Sequence, residues 1–220
     1  MINKNDSEFI RGNMGKQNVK SAKLMKVLQD IVRNLYNEQA EEIIKRAFEI
    51  NQNLCEENSN QPKKVLMHTR DKIYPSISFY KAVLEITENK EDAYHLIADC
   101  FNRQAKSANQ FLRILCKIPY IYKLVPLAMA KIIRDVFGEK SGFNMINYPI
   151  EKGKCHIDMI ECPYFSNCIK YGCPELGTAF CDSDDISYGN MHPKLFWGRT
   201  KTLARGNECC DFILEIRNRA

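Results

Sequence analysis

The hydrophobic pattern of this chain changes period at Gly142, and that change restricts what it can fold into. Before it, apolar residues recur every three or four positions. Leu24, Leu28, Ile31 and Leu35 form one stripe, and Ala40, Ile43, Ile44, Ala47, Ile50 and Leu54 form a second, with Glu38, Glu41 and Glu42 where a helix dipole favours acid. "EENSNQPKK" (56–64) reads as a loop, and an amphipathic segment runs from about Ser76 to Ile86. Asn89 caps a long helix whose inner face carries Ala93, Leu96, Ile97, Cys100, Phe101, Ala108, Phe111, Leu112 and Leu115. Pro119 and Pro126 then divide the chain into short helical pieces ending near Gly138.

After Gly142 the spacing falls to two. "FNMINYPI" and "KCHIDMIE" read as strands, and "KLFWGRTKTLA" and "CCDFILEI" as a hairpin around "RGNE". Phe212, Leu214 and Ile216 share one face of the last strand, with Asp211, Ile213 and Glu215 on the other. The predicted class is α+β: a helical N-terminal half packed on a small antiparallel sheet, with cysteine-rich short helices inserted between the strand pairs. Residues 1–20 read as a polar tail. Residues 21–220 read as a single α+β domain, helical over 21–140 and sheet over 141–220.

Charge and composition narrow the function classes. The net charge is +5, with basic and acidic residues interleaved, so nucleic acid is not an expected partner. The N-terminus lacks the apolar core of a signal peptide, and the run Ile118–Ala130 is too short to span a bilayer. A cytoplasmic protein with no membrane partner is expected, and a homo-oligomer is compatible with the composition. In that compartment ten cysteines are not a disulfide framework. Cys55, Cys100 and Cys116 fit helical cores, while the other seven fall in the last third.

Within "ECPYFSNCIKYGCPELGTAFCDSDD" (161–185), Pro163 and Pro174 suit first helical turns and Gly172 a helix end. Cys162 and Cys173 are thereby expected at helix N-termini, where exposed N–H groups lower a thiol pKa. Three uses of these cysteines stay open: a nucleophile, a metal site, or small core residues. The metal set would be Cys162, Cys173, Cys181 and Cys210 with zinc as the ion. The intervals lack a CxxC pair, so no zinc-ribbon signature is present. Glu175, Asp182, Asp184, Asp185, His192, Arg199 and Thr200 surround the cysteines in sequence. They supply acid, base and anion-binding groups.

The spaced elements "ECPYFSNCIKYGCPEL", "FCDSDD", "NMHPKLFWGRTKTLARG" and "CCDF" resemble the signature of the L-2-amino-thiazoline-4-carboxylic acid hydrolase family, chiefly over residues 160–212. "HTRDKIYPSISFYKAVLE" and "FGEKSGF" lend softer support upstream. The resemblance implies hydrolytic opening of a five-membered amino-thiazoline ring to an N-carbamoyl-cysteine, hence a small-molecule substrate with a carboxylate. On that reading Cys181, Asp185, His192 and Cys173 are the catalytic candidates. His192 or an aspartate near Asp185 would be the base, and Cys181 or Cys173 the alternative nucleophile. Arg199, with Thr200 and Glu175, would bind substrate. A helix from Pro174 brings Cys181 and Asp185 to one face, and a strand from Lys194 aligns Leu195, Trp197 and Arg199 with His192 at its mouth. One pocket between the helical half and the sheet is expected, with His68 completing its wall. The chain's end is also similar to vinyl-reductase-type domains, which implies the alternative of a non-catalytic small-molecule- or metal-binding module.

Overall fold

The computed structural model describes residues 19–149, 151 and 153–217. The polar tail expected over residues 1–20 lies, as far as residue 18, outside the described residues. The fold is α+β, with helices as far as Ser141 and then four antiparallel strands with two helices inserted between the second and third. The chain divides into two compact units, one ending at Cys100 and one beginning at Phe101.

The first unit contains α1 (Val19–Tyr36), α2 (Ala40–Glu57), the single turn α3 (Lys63–Leu66), α4 (Tyr74–Thr87) and the start of α5 (Lys90–Cys116). All six residues of the α2 stripe are buried. In α1, Leu24, Leu28 and Ile31 are buried together with Met25 and Val32, whereas Leu35 is 58% exposed. Leu35 lies in the last turn, just before the chain leaves the helix at Asn37 with φ 40°. The segment expected to be amphipathic over 76–86 is instead α4, buried on nearly every side. Tyr74, Ile77, Phe79, Tyr80 and Val83 all fall within the core. Its serines do not oppose this, because Ser76 and Ser78 donate their hydroxyls to the carbonyls of Lys72 (2.8 Å) and Tyr74 (2.6 Å). With its serines satisfied internally, the helix is buried over most of its surface, Glu85 alone being exposed, and serves as the centre of its unit. Each large side chain it buries contributes about 1.5–3 kcal/mol. The Asn89 cap forms as the residue type dictates, Oδ1 accepting from the N–H groups of Glu91 and Asp92 at 3.1 Å each.

The second unit holds the end of α5, a 3-10 turn (Ile121–Leu124), α6 (Val125–Val136), the strands β1 (Asn144–Asn147), β2 (Lys154–Glu161), β3 (Leu195–Gly198) and β4 (Cys210–Ile216), and two helices, α7 (Pro163–Lys170) and α8 (Leu176–Tyr188). Ala108 and Phe111, expected on the inner face of α5, are exposed, with Ala105 buried in their stead. The strands run in the order β1-β2-β4-β3, every pair antiparallel. Register sorts the side chains into two faces. Met159 opposes Cys210, Ile157 opposes Phe212, and Cys155 and Trp197 flank Leu214 on one face; Asp158 opposes Asp211 on the other. The first face carries the core, in which Cys155, Ile157, Leu195 and Leu214 pack with Cys116, Met129 and Ala130.

β3 is shorter than its alternating pattern implies. Asp211 Oδ1 takes the backbone N–H of Thr200 (2.8 Å) and Lys201 (2.6 Å), and Asn207 takes that of Thr202 (3.0 Å). Those donors are thereby withdrawn from the ladder, and the chain enters a 3-10 turn (Leu203–Arg205) closed by Gly206 at φ 83°. β3 and β4 pair antiparallel as the expected hairpin around "RGNE", with this loop as its connection.

Candidate active site

The site is built on α8 and the end of β3. α8 starts at Leu176, two residues beyond Pro174, with Glu175 as its half-buried N-cap residue. It carries Cys181, Asp184, Asp185 and Tyr188 on one face, spaced i, i+3, i+4 and i+7. The helix can lie close to its neighbours because Gly177 has no side chain. A Cβ there would meet Phe165 Cδ2 at 2.7 Å and Ala204 Cβ at 3.2 Å.

Arg199 is the hub. It lies just past β3, on the face of Trp197, and its side chain is only 3% exposed. Its Nη2 donates to Asp185 Oδ2 at 2.5 Å and to the Cys181 carbonyl at 3.0 Å. The other oxygen of Asp185 accepts from Trp197 Nε1 at 2.9 Å. Asp185 is thus a clamp with both oxygens engaged. The Nη1 of Arg199 is buried without a hydrogen-bond partner, and Asp184 stands 3.9 Å from it. A guanidinium half-satisfied and withdrawn from water is a ready receptor for a planar anion. The Phe212 ring, 5.6 Å from the guanidinium carbon, backs it.

Beside Arg199 stands a thiol pair. The Cys181 thiol hydrogen-bonds to Cys210 and is thereby pushed well up, with burial adding to the effect. Cys210 is held down at about 7 by that same bond, helped against its burial by the Leu203 N–H (3.3 Å) and the Arg199 guanidinium. One proton shared this way favours the thiolate on Cys210, with Cys181 as its donor. Cys162 is the N-cap of α7 and packs beside Cys210, yet burial pushes its thiol up to about 12. Asp184 acts electrostatically on Cys162, Cys210 and Tyr188, whose phenol is raised to about 12 chiefly by burial.

Other expected members lie elsewhere. Cys173 precedes α8 by three residues rather than heading it, is fully buried, and is hydrogen-bonded to Cys168. Thr200 gives its hydroxyl to Asp211 Oδ2 at 2.5 Å, on the opposite sheet face from Arg199. His192 stacks on Tyr122 (4.2 Å between ring centres) and accepts the Lys194 N–H through Nδ1 at 3.1 Å. It stands before β3 while Arg199 stands after it, and the strand between spans roughly 13 Å. Burial, then Lys194, lowers its pKa. His68 belongs to the first unit, where it is 4% exposed. Among the described residues no three His, Cys, Asp or Glu side chains form a group able to hold a metal ion. Of the four-cysteine zinc set, Cys173 is hydrogen-bonded to Cys168 and Cys181 to Cys210, all as free thiols. From sequence, Asp184 is one of several acids around the cysteines with no role of its own, and the thiolate character of Cys210 is missed. The i, i+3 step from Cys181 marks the first, but nothing local marks the second.

The sequence elements that carry the family resemblance have physical roles in this site. "FCDSDD" is the site face of α8, "RT" supplies the guanidinium and the strand stop, "TLARG" the turn that aims the Leu203 N–H, and "CCDF" the thiolate and its aromatic backing. No curated protein and no solved structure matches the chain. The sequence model described as L-2-amino-thiazoline-4-carboxylic acid hydrolase matches residues 67–214, most of the chain and the whole of this site. The chain belongs to that family.

Proposed function

We propose that this protein hydrolyses a small cyclic amidine bearing a carboxylate, 2-amino-thiazoline-4-carboxylate or a close relative, with Arg199 as the carboxylate anchor and Cys210 as the nucleophile. The observation that carries this reading is the pairing of a buried, half-satisfied guanidinium with a thiol held at about 7. The Cys210 thiolate adds to C2, the electron-poor carbon between two nitrogens and sulfur. The C2–S bond of the ring breaks, and the departing sulfur takes the Cys181 proton. This leaves an S-linked isothiourea on Cys210. Water then adds to the same carbon, passing one proton to the former ring nitrogen and the other, through Asp184, to Cys181. The Cys210 thiolate departs and the product is an N-carbamoyl amino acid carrying a free thiol. One water is consumed and no electrons are exchanged.

The test is turnover of 2-amino-thiazoline-4-carboxylate, followed by thiol release and product mass. Cys210→Ser is expected to abolish turnover, and Arg199→Ala to raise KM strongly. If Cys210→Ser keeps wild-type kcat, the covalent route is wrong. Binding that depends on Arg199 without any turnover of cyclic amidines would instead favour the ligand-binding module.

A further inference from the structure

Residues 100–134 contain seven Lys and Arg and no Asp or Glu, in a chain where 27 of 220 residues are acidic. All seven basic residues are exposed. The stretch comprises the end of α5, the 3-10 turn and α6, and these elements turn a common side to one core: Leu112, Cys116, Tyr122, Val125, Met129 and Ile133 all pack against the cluster around Leu195 and Leu214. Many of the side chains between them point the other way. Phe111 is 66% exposed, Ile114 65%, Ile118 51%, Tyr120 70%, Leu124 59% and Leu127 54%. Ile132 extends the series along the outer side of α6. Single exposed apolar residues are ordinary, but a consecutive series across three elements marks a surface that is covered in use.

The charge pattern identifies what covers it. Arg113, Lys117, Lys123 and Lys131 are interleaved with the apolar residues, and the Lys123 ammonium lies 4.9 Å from the Tyr120 ring centre. A second copy meeting this face through a twofold axis would bring the same cations against themselves. Nucleic acid would match the cations and leave the isoleucines and leucines in water. An anionic bilayer matches both, since aliphatic and aromatic side chains enter the headgroup boundary while lysines stay at the phosphates. Among the described residues no helix is long and apolar enough to cross a membrane, so the contact is peripheral. We propose that the outer surface of residues 111–132 seats this protein on an anionic lipid surface.

Co-sedimentation of the full chain with vesicles tests this, using phosphatidylcholine alone and an equal mixture with phosphatidylglycerol. Binding is expected to the mixed vesicles, and to fall with added salt. Lys117→Gln with Lys123→Gln should weaken it about 25-fold, about fivefold for each charge removed. Leu124→Ser with Leu127→Ser should abolish it, and both residues are exposed enough for the fold to survive. Leu35→Ser, exposed in the first unit, should leave it unchanged. Equal binding to both vesicle types, or binding indifferent to these substitutions, overturns the proposal. So does a dimer that the Leu124/Leu127 variant dissociates in the absence of vesicle binding, which would give the face to a second copy.

Discussion

The backbone N–H of Leu203 points at the Cys210 sulfur across 3.3 Å, from a 3-10 turn into the first residue of β4. With the Cys181 thiol donating to the same sulfur and Arg199 nearby, the charged form of Cys210 has three sources of support in a site where burial alone would raise its pKa. The alkylation rate of Cys210 is therefore expected to rise with a midpoint near 7. Cys181→Ala removes the largest support and should move that midpoint up toward an ordinary thiol, about 8.5. The sign for stability follows from the depressed folded pKa. The contribution is full above the unfolded value and is lost as pH falls through about 7. Rate-versus-pH labelling of the two proteins, with mass-spectrometric assignment, decides it; an unchanged midpoint in Cys181→Ala would remove the thiol pair from the mechanism.

Asp185 is expected to matter for placing Arg199 rather than for moving protons, because Trp197 and Arg199 occupy both its oxygens. Asp185→Asn should cost about 2 kcal/mol of stability, the scale of a lost hydrogen bond to a charged group. It should raise KM more than it lowers kcat. Asp184→Asn should do the reverse, since Asp184 is the carboxylate proposed to take the water's proton. Denaturant melts and steady-state kinetics of both variants separate these roles. A collapse of kcat with unchanged KM in Asp185→Asn would return it to the position of base.

How far this arrangement was legible in the sequence depends on whether the cause was local. The α2 stripe, the Asn89 cap, β2 and the faces of β4 follow from spacing and residue type, and each formed as spacing predicts. The Cys181–Asp185 face of α8 was legible for the same reason. The end of β3 was not, because a side chain eleven residues away, Asp211, removes the donors of Thr200 and Lys201. Nor was the acidity of Cys210, which depends on a backbone N–H and a partner thiol from separate elements. The exposed apolar surface escaped for a different reason. Ile118–Ala130 is too short for a membrane span, whereas lying on a bilayer requires only one apolar side and cations beside it.

The close approach of α8 to its neighbours can be tested at Gly177, where a Cβ would meet Phe165 at 2.7 Å and Ala204 at 3.2 Å. Gly177→Val is expected to cost about 1–3 kcal/mol through overpacking. Because Ala204 belongs to the turn that aims the Leu203 N–H, the same variant should lose Cys210 reactivity at neutral pH. Wild-type stability together with wild-type labelling would mean that the helix and the turn move apart without consequence.

His192 provides the sharpest contrast between residue type and position. An imidazole in a polar loop is the default choice for a general base, yet this one is stacked on Tyr122 and accepts the Lys194 N–H through Nδ1. The length of β3, roughly 13 Å, separates it from the end of the strand where Arg199 begins. A base must come within hydrogen-bond reach of the water it activates, about 3 Å or one bridging water. His192→Ala is therefore expected to keep kcat within about threefold of wild type, while costing about 1 kcal/mol of stability through the lost stack and loop contact. Its pKa is lowered, so the neutral ring that accepts the Lys194 N–H persists into mild acid and its stability contribution is lost only as pH falls through that lowered value. Steady-state kinetics of His192→Ala on a substrate that the wild-type protein turns over give the answer. A drop of roughly a hundredfold or more in kcat, the scale of a lost general base, would place the imidazole in the chemistry and require the loop before β3 to close on the site during turnover.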